Sequence, residues 1–370
     1  MKRGLPGVNT WVLVGTNTKE APKDMLHLGL DLSRTRLDVC ALDAAGSRVV
    51  VTASSPDADG LRHLAKEISA FGGPVRAAIE SMNGARFVHD TLELCGWDVE
   101  IADAQKVKGL APLACKTDKI DAFVLAELSR RDLVPAIWLP DPTIRAERER
   151  ARFRLHLVRH RVMLKNRIHA SLLAFGKPCP VTDLFGASGR ELLCRLGLPD
   201  PWTKNIATAL LMIDELEREI AACEAELRAL GADHPYVSLL QSAPGIAWVL
   251  GFTIASEIGD IERFSSPKKL VGYTGLCPRV HQSGGKDFRG PLSKNGPKYL
   301  RWALIEGATH ASRNAIYKEH YEKTKARLGP QRGTKVARVE VARKLAEAIW
   351  HMLTTGATFA PARSHMSLAA

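Results

Sequence analysis

No apolar run in these 370 residues approaches the ~20 needed to cross a bilayer. The N-terminus also lacks the apolar core and small-residue cleavage site of an export signal, so neither membrane insertion nor secretion is expected. Seven cysteines are present and none falls in a CxxC pair. Cys40, Cys95 and Cys223 lie in apolar context and read as reduced core residues of a cytosolic protein. The twelve histidines offer no HExxH and no Cys/His zinc spacing. Low-complexity tracts are missing, and 45% apolar with 25% charged residues describes a globular chain of about two or three domains. The other scarcity is acid: the formal net charge is +12, which favours a polyanionic partner. The bases are also clustered. Nine basic and two acidic residues lie between Arg145 and Arg167, and nine basic and one acidic between Arg263 and Arg301, where an ordinary solvated surface would interleave both signs.

Residues 1–24 carry no clear periodicity and are expected to be a disordered extension, or the product of an upstream start codon. From Met25 the pattern becomes α/β. Leu26, Leu28, Leu30 and Leu32 alternate with His27, Gly29, Asp31 and Ser33, giving a strand with Asp31 on its less apolar face. Strands over 36–43 and 48–53 follow, joined by a turn at Ala45-Gly46-Ser47. Next come a helix over 58–71, a strand over 75–80 ending in Glu80, a helix over 84–95 stopping at Gly96, and a strand over 97–102. Three strands in a meander followed by helix–strand repeats suit a mixed sheet of the ribonuclease H type over 25–142. The actin-like ATPase fold begins in the same way.

A long basic helix is expected over 143–175, then a Pro- and Gly-rich loop over 176–201. Ile206, Ile213, Ile220 and Leu227 repeat every seven residues, followed three places later by Ala209, Leu216, Cys223 and Leu230. Such a repeat predicts a coiled coil, paired with the 143–175 helix, with a second protomer, or with both. The segment 143–235 thus forms a helical coiled-coil region. A mainly α-helical domain should occupy 236–356: an apolar helix ending near Gly259, a loop rich in Gly, Ser and Lys over 272–297, and helices over 298–312 and 334–355. Residues 357–370 form a tail.

Within this basic chain four carboxylates are notably placed. Asp31 and Glu80 lie on strand-like runs, and Asp118 and Asp121 open a helix expected over 118–131. Residues i and i+3 share a helical face, and the positive helix N-terminus offsets their mutual repulsion. Clustered carboxylates take up protons unless a cation sits between them, and hard divalent ions such as Mg²⁺ are held by few carboxylates plus water and substrate phosphate. A metal-dependent enzyme acting on nucleic-acid phosphates is the reading this supports. Each acid has a plain alternative: Asp31 in a turn, Glu80 at a wet strand end, Asp118 as a helix cap, Asp121 as a first-turn acid.

The loop 272–297 is rich in glycines that let a backbone approach phosphate, and Lys286, Arg289 and Lys294 could offset charge in a phosphoryl transition state. A serine there, Ser283 with His281 two residues away, could serve as a nucleophile that conserves phosphodiester energy. The bland alternative is a flexible basic loop gripping the backbone. In the two basic stretches Arg152, Arg159, Arg161, Lys165 and Arg167, and Lys286, Arg289, Lys294 and Lys298, are expected to contact nucleic acid.

Taken together, GLDLS (29–33), AAIES (77–81), KTDKIDA (116–122), APGI (243–246), GYTGLCPRVHQSGG (272–285), GPLSKNGPKYLRWAL (290–304) and ARKLAEAIWHML (342–353) resemble the DEDD-type transposases of bacterial insertion sequences. Those proteins pair a RuvC-like N-terminal domain with a serine-bearing C-terminal transposase domain. The resemblance covers about residues 26–355 and implies a metal-binding tetrad at Asp31, Glu80, Asp118 and Asp121, served by Mg²⁺, and a serine nucleophile at Ser283, with Ser293 as the alternative. It further implies donor and target DNA as substrates, a structured noncoding bridge RNA as guide, and a homo-oligomer (dimer or tetramer) with a composite active site. The location implied is the bacterial cytoplasm, in association with the nucleoid. Competing readings are a metal-dependent nuclease of the same fold that uses water, an actin-like phosphotransferase, and a structural nucleic-acid binder. The 1–24 extension and the long basic middle segment depart from the family pattern.

Overall fold

A computed structural model of the chain describes residues 25–110, 118–177 and 179–360, less the side chains of Asp118, Lys119, His281, Lys286, Asp287 and Pro330. The extension expected over 1–24, Lys116 and Thr117 of the acidic motif, and residues 361–370 of the tail lie outside the described residues. The chain divides into two compact units that meet at Leu139 and Pro140.

The first unit is a mixed α/β domain. Strands β1 (Leu26–Leu32), β2 (Leu37–Leu42) and β3 (Arg48–Ser54) form an antiparallel meander, while β4 (Val75–Glu80) and β5 (Asp98–Ala102) add in parallel on the other side of β1, in the order β3-β2-β1-β4-β5. Alternation in β1 decides which residues go where. Leu26, Leu28 and Leu30 are fully buried on one face against Leu61, Leu64 and Ile68 of α1 (Ala58–Ser69) and Val88 and Leu92 of α2 (Ala85–Glu93). The opposite face, carrying His27, Gly29 and Asp31, is covered by α4 (Asp118–Arg130), whose Ala122 and Ala126 pack with Cys40 and Leu42, and whose Leu125 and Leu128 pack with Ala78. Burial of the Cys40 thiol on that face pushes its pKa up to about 11, so it stays protonated and inert. A short helix, α3 (Ala104–Leu110), lies between β5 and α4 in the chain.

The second unit is mainly helical. α5 (Pro142–Ala174) starts on an Asp-Pro pair: Asp141 accepts hydrogen bonds from the amides of Thr143 and Ile144 at 2.8 and 3.0 Å, and Pro142 takes the first turn, where no amide is needed. It runs antiparallel to α7 (Trp202–Ala232), with Arg150 on Glu226 at 2.7 Å, Arg154 on Glu224 at 3.0 Å and Lys165 on Glu217 at 3.3 Å. Ile206, Ile213, Ile220 and Leu227 of the seven-residue repeat are buried, whereas Leu230 is exposed. The Pro/Gly stretch expected as a loop contains α6 (Ala187–Arg195).

After α8 (Val237–Gln241), helix α9 (Trp248–Ile258) is the buried centre of this unit, followed by α10 (Pro267–Thr274), α11 (Lys298–Ala311), α12 (Ala315–Leu328) and α13 (Pro330–Thr355). Ala151 of α5 and Leu227 of α7 join the same core as Ile254, Leu304 and Leu345. The coiled-coil region and the C-terminal domain expected to divide at 235/236 therefore share one interior. The loop expected over 272–297 is instead a β-hairpin, β6 (Pro278–Ser283) paired with β7 (Lys286–Leu292). Among the described residues no helix is long and apolar enough to cross a membrane.

Candidate active site

The sheet of the first unit sets the acids by register. β1 and β4 run parallel with Leu30 opposite Ile79, so Asp31 and Glu80 follow as the next rung, at the carboxyl ends of neighbouring strands. Both fall on the face covered by α4, because their odd–even partners Gly29 and Ala78 do. Helix α4 crosses this face in a fixed direction. Its C-terminal Ser129 lies beside His27 (Oγ to Nδ1, 3.4 Å), and Ala122 and Ala126 lie over Gly29. Continuing that line, the first turn of α4, which carries Asp118 and Asp121, comes toward the Asp31 end of β1. Asp31 and Asp121 are half-buried, as is Glu80.

Gly29 makes this approach possible. A Cβ at that position would sit 1.8 Å from the carbonyl oxygen of Ala122 and 2.4 Å from the amide nitrogen of Ala126, so only glycine admits the helix so close to the strand.

One further acid lies on this face, with no local pattern in the sequence to mark it until the register is fixed. Asp38 lies directly opposite Asp31 in the β1–β2 ladder and is buried. Like charges facing across strands repel, and here Arg36 clasps Asp38 through its Nε at 3.1 and 3.0 Å and its Nη2 at 2.9 Å. The signal for it was the DxS-x-x-R-x-D spacing of Asp31, Arg36 and Asp38, legible only once the turn fixes the register.

All the acids present are hard oxygen donors of the kind that hold Mg²⁺, so the donor chemistry fits a divalent ion. Among the described residues, however, no three His, Cys, Asp or Glu side chains form a metal-sized cluster, and the Asp118 side chain is outside the description.

The second unit carries the serines and most of the expected cations. Ser283 is exposed and ends β6, opposite Lys286, where Gly284 (φ 56°) and Gly285 (φ 79°) form the turn. Both turn positions need φ > 0, which glycine supplies without strain. Ser293 sits at the other end of the hairpin, half-buried, its amide donating to Cys277 O at 2.8 Å. Seven residues of extended β7 separate the two serines by roughly 20 Å, so they cannot serve one reacting phosphate in turn. Phe288, 65% exposed, lies on this hairpin too, an aromatic that no sequence motif marks.

The expected nucleic-acid contacts divide sharply. Arg152 is not available for phosphate: its guanidinium grips the carboxylate of Glu257 at 2.7 and 2.9 Å, and that carboxylate is fully buried. Burial pulls the Arg152 pKa down, but the Glu257 hydrogen bonds and charge reverse this and leave it raised. Arg148 donates to Ser256 O and Glu257 O at 2.8 and 2.6 Å, and Arg263 to Ile258 O at 3.0 Å. Two guanidiniums, Arg148 and Arg263, thus satisfy carbonyls at the C-terminal end of α9, where orphan carbonyls and the negative dipole end call for cations, while Arg152 pairs with the Glu257 side chain there. Arg161 and Lys165 pair with Glu217 at 3.8 and 3.3 Å. Arg159, Arg167, Arg289, Lys294 and Lys298 are exposed.

Two family models match the chain: residues 28–176 fit the DEDD IS110 model, described as Transposase, and residues 237–322 fit the Transposase IS116/IS110/IS902 family. The chain is similar to the transposase for insertion sequence element IS1328 of Yersinia enterocolitica, 29% identical over 305 residues, which are 77% of this chain and 86% of the relative. It is also similar to the transposase for insertion sequence element IS1111A of Coxiella burnetii, 28% identical over 355 residues, 92% of this chain and 93% of that protein. Both units are matched in order, and the relatives span most of the chain: it belongs to the IS116/IS110/IS902 family of insertion-sequence transposases and is a DNA transposase.

Proposed function

We propose that this transposase cuts and exchanges DNA strands through a covalent phosphoserine bond, on a ribonuclease H-like domain that supplies a Mg²⁺-binding tetrad of Asp31, Glu80, Asp118 and Asp121. The observation carrying the reading is the parallel register that sets Asp31 beside Glu80 under the incoming first turn of α4. Mg²⁺ held there would stabilise charge on the non-bridging phosphate oxygens.

The remaining steps belong to the chain. The Oγ of Ser283 attacks phosphorus, forming the Oγ–P bond as the P–O3′ bond breaks; the serine proton is given up to solvent and the departing 3′ oxygen takes one. The 3′-hydroxyl of the partner strand then attacks the phosphoserine, and Ser283 is regenerated. The number of phosphodiester bonds is unchanged, so no external energy source is required. An exposed serine on a glycine turn supports this role, since a nucleophile for duplex phosphate must reach outward. Exposed Arg289, Lys294 and Lys298 would neutralise backbone phosphates around it. A structured guide RNA and a homo-oligomer that joins the tetrad of one protomer to the serine of another complete the reading, on the strength of the family resemblance.

Two substitutions test the halves separately. With a suicide DNA substrate, Ser283→Ala should lose the covalent protein–DNA adduct while Ser293→Ala keeps it; an adduct surviving Ser283→Ala overturns the nucleophile. Asp118→Asn and Asp121→Asn should abolish cleavage in Mg²⁺, and full activity in both removes the tetrad. Hydrolysed ends with no adduct would instead favour a nuclease that uses water.

A further inference from the structure

The C-terminal helices line an open cavity of about 330 Å³ that the cleavage chemistry does not use. Its wall is built from three helices. Thr309 comes from α11 and Ser312 and Arg313 from its C-terminal end, Lys318 and Glu322 come from α12, and Arg338 from α13. Three cations therefore face one acid. That acid is engaged elsewhere, with Glu322 on Lys325 at 3.6 Å. Among the described residues no carboxylate lies within ion-pair distance of Arg313, Lys318 or Arg338. Contrast α5, where Arg150, Arg152 and Arg154 each have a carboxylate partner. Arg338 is under-satisfied in a second way: its Nε is sealed from solvent and has no hydrogen-bond acceptor. Buried polar groups are nearly always paired in native proteins, so a guanidinium left short of acceptors on a cavity wall gains from an anion at its remaining N–H groups. The hydroxyls of Thr309 and Ser312 donate to Ile305 O and Thr309 O within α11, leaving their lone pairs and not their protons toward other groups. Recognition would fall to the cations.

We propose that this cavity is a phosphodiester-binding site, in which Arg313, Lys318 and Arg338 hold one backbone phosphate of a bound nucleic acid away from the cleavage chemistry. A guanidinium fork matches two phosphate oxygens, while a lysine contributes a mobile point charge. The inference uses the DNA transposase assignment but not the identity of the nucleophile. Binding is read without turnover and with Ser283 intact, so its failure leaves the phosphoserine reading untouched.

The experiment is equilibrium binding of the full-length chain, across a salt series, to labelled duplex DNA and to labelled RNA. The variants are Arg313→Ala, Lys318→Ala and Arg338→Lys, with Lys323→Ala as a charge control on the same helix, where Lys323 pairs with Glu319. Melting curves confirm that each variant is folded. Each pocket alanine should weaken binding and reduce the slope of log K against log salt by about one. Arg338→Lys should keep the slope but lose affinity, because the charge stays and the fork is gone. Loss on DNA alone, RNA alone or both supports the site and identifies which polymer fills it. Wild-type affinity and slope in all pocket variants overturns it. So does an equal loss in Lys323→Ala, which would reduce the effect to net charge. Stabilisation by inorganic phosphate with no change on either polymer would also overturn it, leaving a free-anion site only.

Discussion

Adding one methyl group at Gly29 should dismantle the candidate site without touching a carboxylate. The Cβ of Gly29→Ala would lie 1.8 Å from Ala122 O and 2.4 Å from Ala126 N, both backbone atoms of α4. Carbon atoms make contact at about 3.5 Å, so α4 must retreat by roughly 1.5–2 Å; no rotamer change can relieve a backbone clash. Overpacking a dense interface costs about 1–3 kcal/mol, and the absence of a flexible neighbour puts this case near the top, about 3 kcal/mol. For a domain of this size that is a fall in Tm of roughly 10–20 °C. The retreating helix carries Asp118 and Asp121 in its first turn, and a misplacement of about 1 Å costs on the order of 10²-fold in rate. Thermal melts and Mg²⁺-dependent strand cleavage on the full-length protein read the two effects. Gly109→Ala, where a Cβ meets nothing within 4 Å, is the control and should be neutral or slightly stabilising. A Gly29→Ala protein that melts and cleaves like the wild type would refute the claim that α4 closeness builds the site.

Arg152→Ala should destabilise the second unit by about 3 kcal/mol, because it removes both hydrogen bonds to the fully buried Glu257 carboxylate and leaves it the more distant Arg148 at 3.9 Å; Arg152→Ala with Glu257→Gln should recover much of that in chemical denaturation. Equal stability of the single and double variants would mean the pair contributes nothing specific. Acid should weaken the fold through two histidines. His27 and His234 both have their pKa values lowered from 6.5, in each case first by burial, with Arg76 and Arg130 adding to it at His27 and Glu147 opposing it at His234. A group depressed in the folded state binds its proton more readily when unfolded, so stability is full above about 6.5 and falls as pH drops below it toward the folded values. Melting temperature should decline from pH 7.5 to 6. The decline should flatten in His27→Gln and His234→Gln, whereas an unchanged slope would assign the pH dependence to other groups.

Local pattern carried much of the first unit. The strict alternation of Leu26 to Leu32 announces a strand with one apolar face, and Glu80 ends a run that must be buried on both sides. Elements whose signal is masked by breakers were missed. Pro278, Gly284, Gly285, Gly290 and Pro291 made the β6–β7 hairpin read as a loop, although a two-residue Gly-Gly turn between extended runs is itself a hairpin signal. Helix α12 escaped because its charged residues and thin apolar face give little periodicity, with only the Asn314 cap, accepting from the Ile316 amide at 3.1 Å, to mark its start.

Charge was legible in amount and illegible in disposition. The run from Arg145 to Arg167 looks like a uniform nucleic-acid surface in sequence, yet its members have opposite fates. Arg152 meets Glu257, which lies 105 positions away; Arg150, Arg154 and Lys165 meet acids on α7; Arg159 and Arg167 stay exposed. No local rule separates them, since a helix repeats its faces every 3.6 residues and the partner helix is set by tertiary packing. A cation already paired to a buried carboxylate has little left to give a phosphate. One in an unpaired cluster on a cavity wall releases counter-ions on binding and strengthens the complex. The excess of +12 thus overstates the phosphate-facing charge of α5 and understates that of the α11–α13 cavity, where Arg313, Lys318 and Arg338 drew no notice as single residues in sequence.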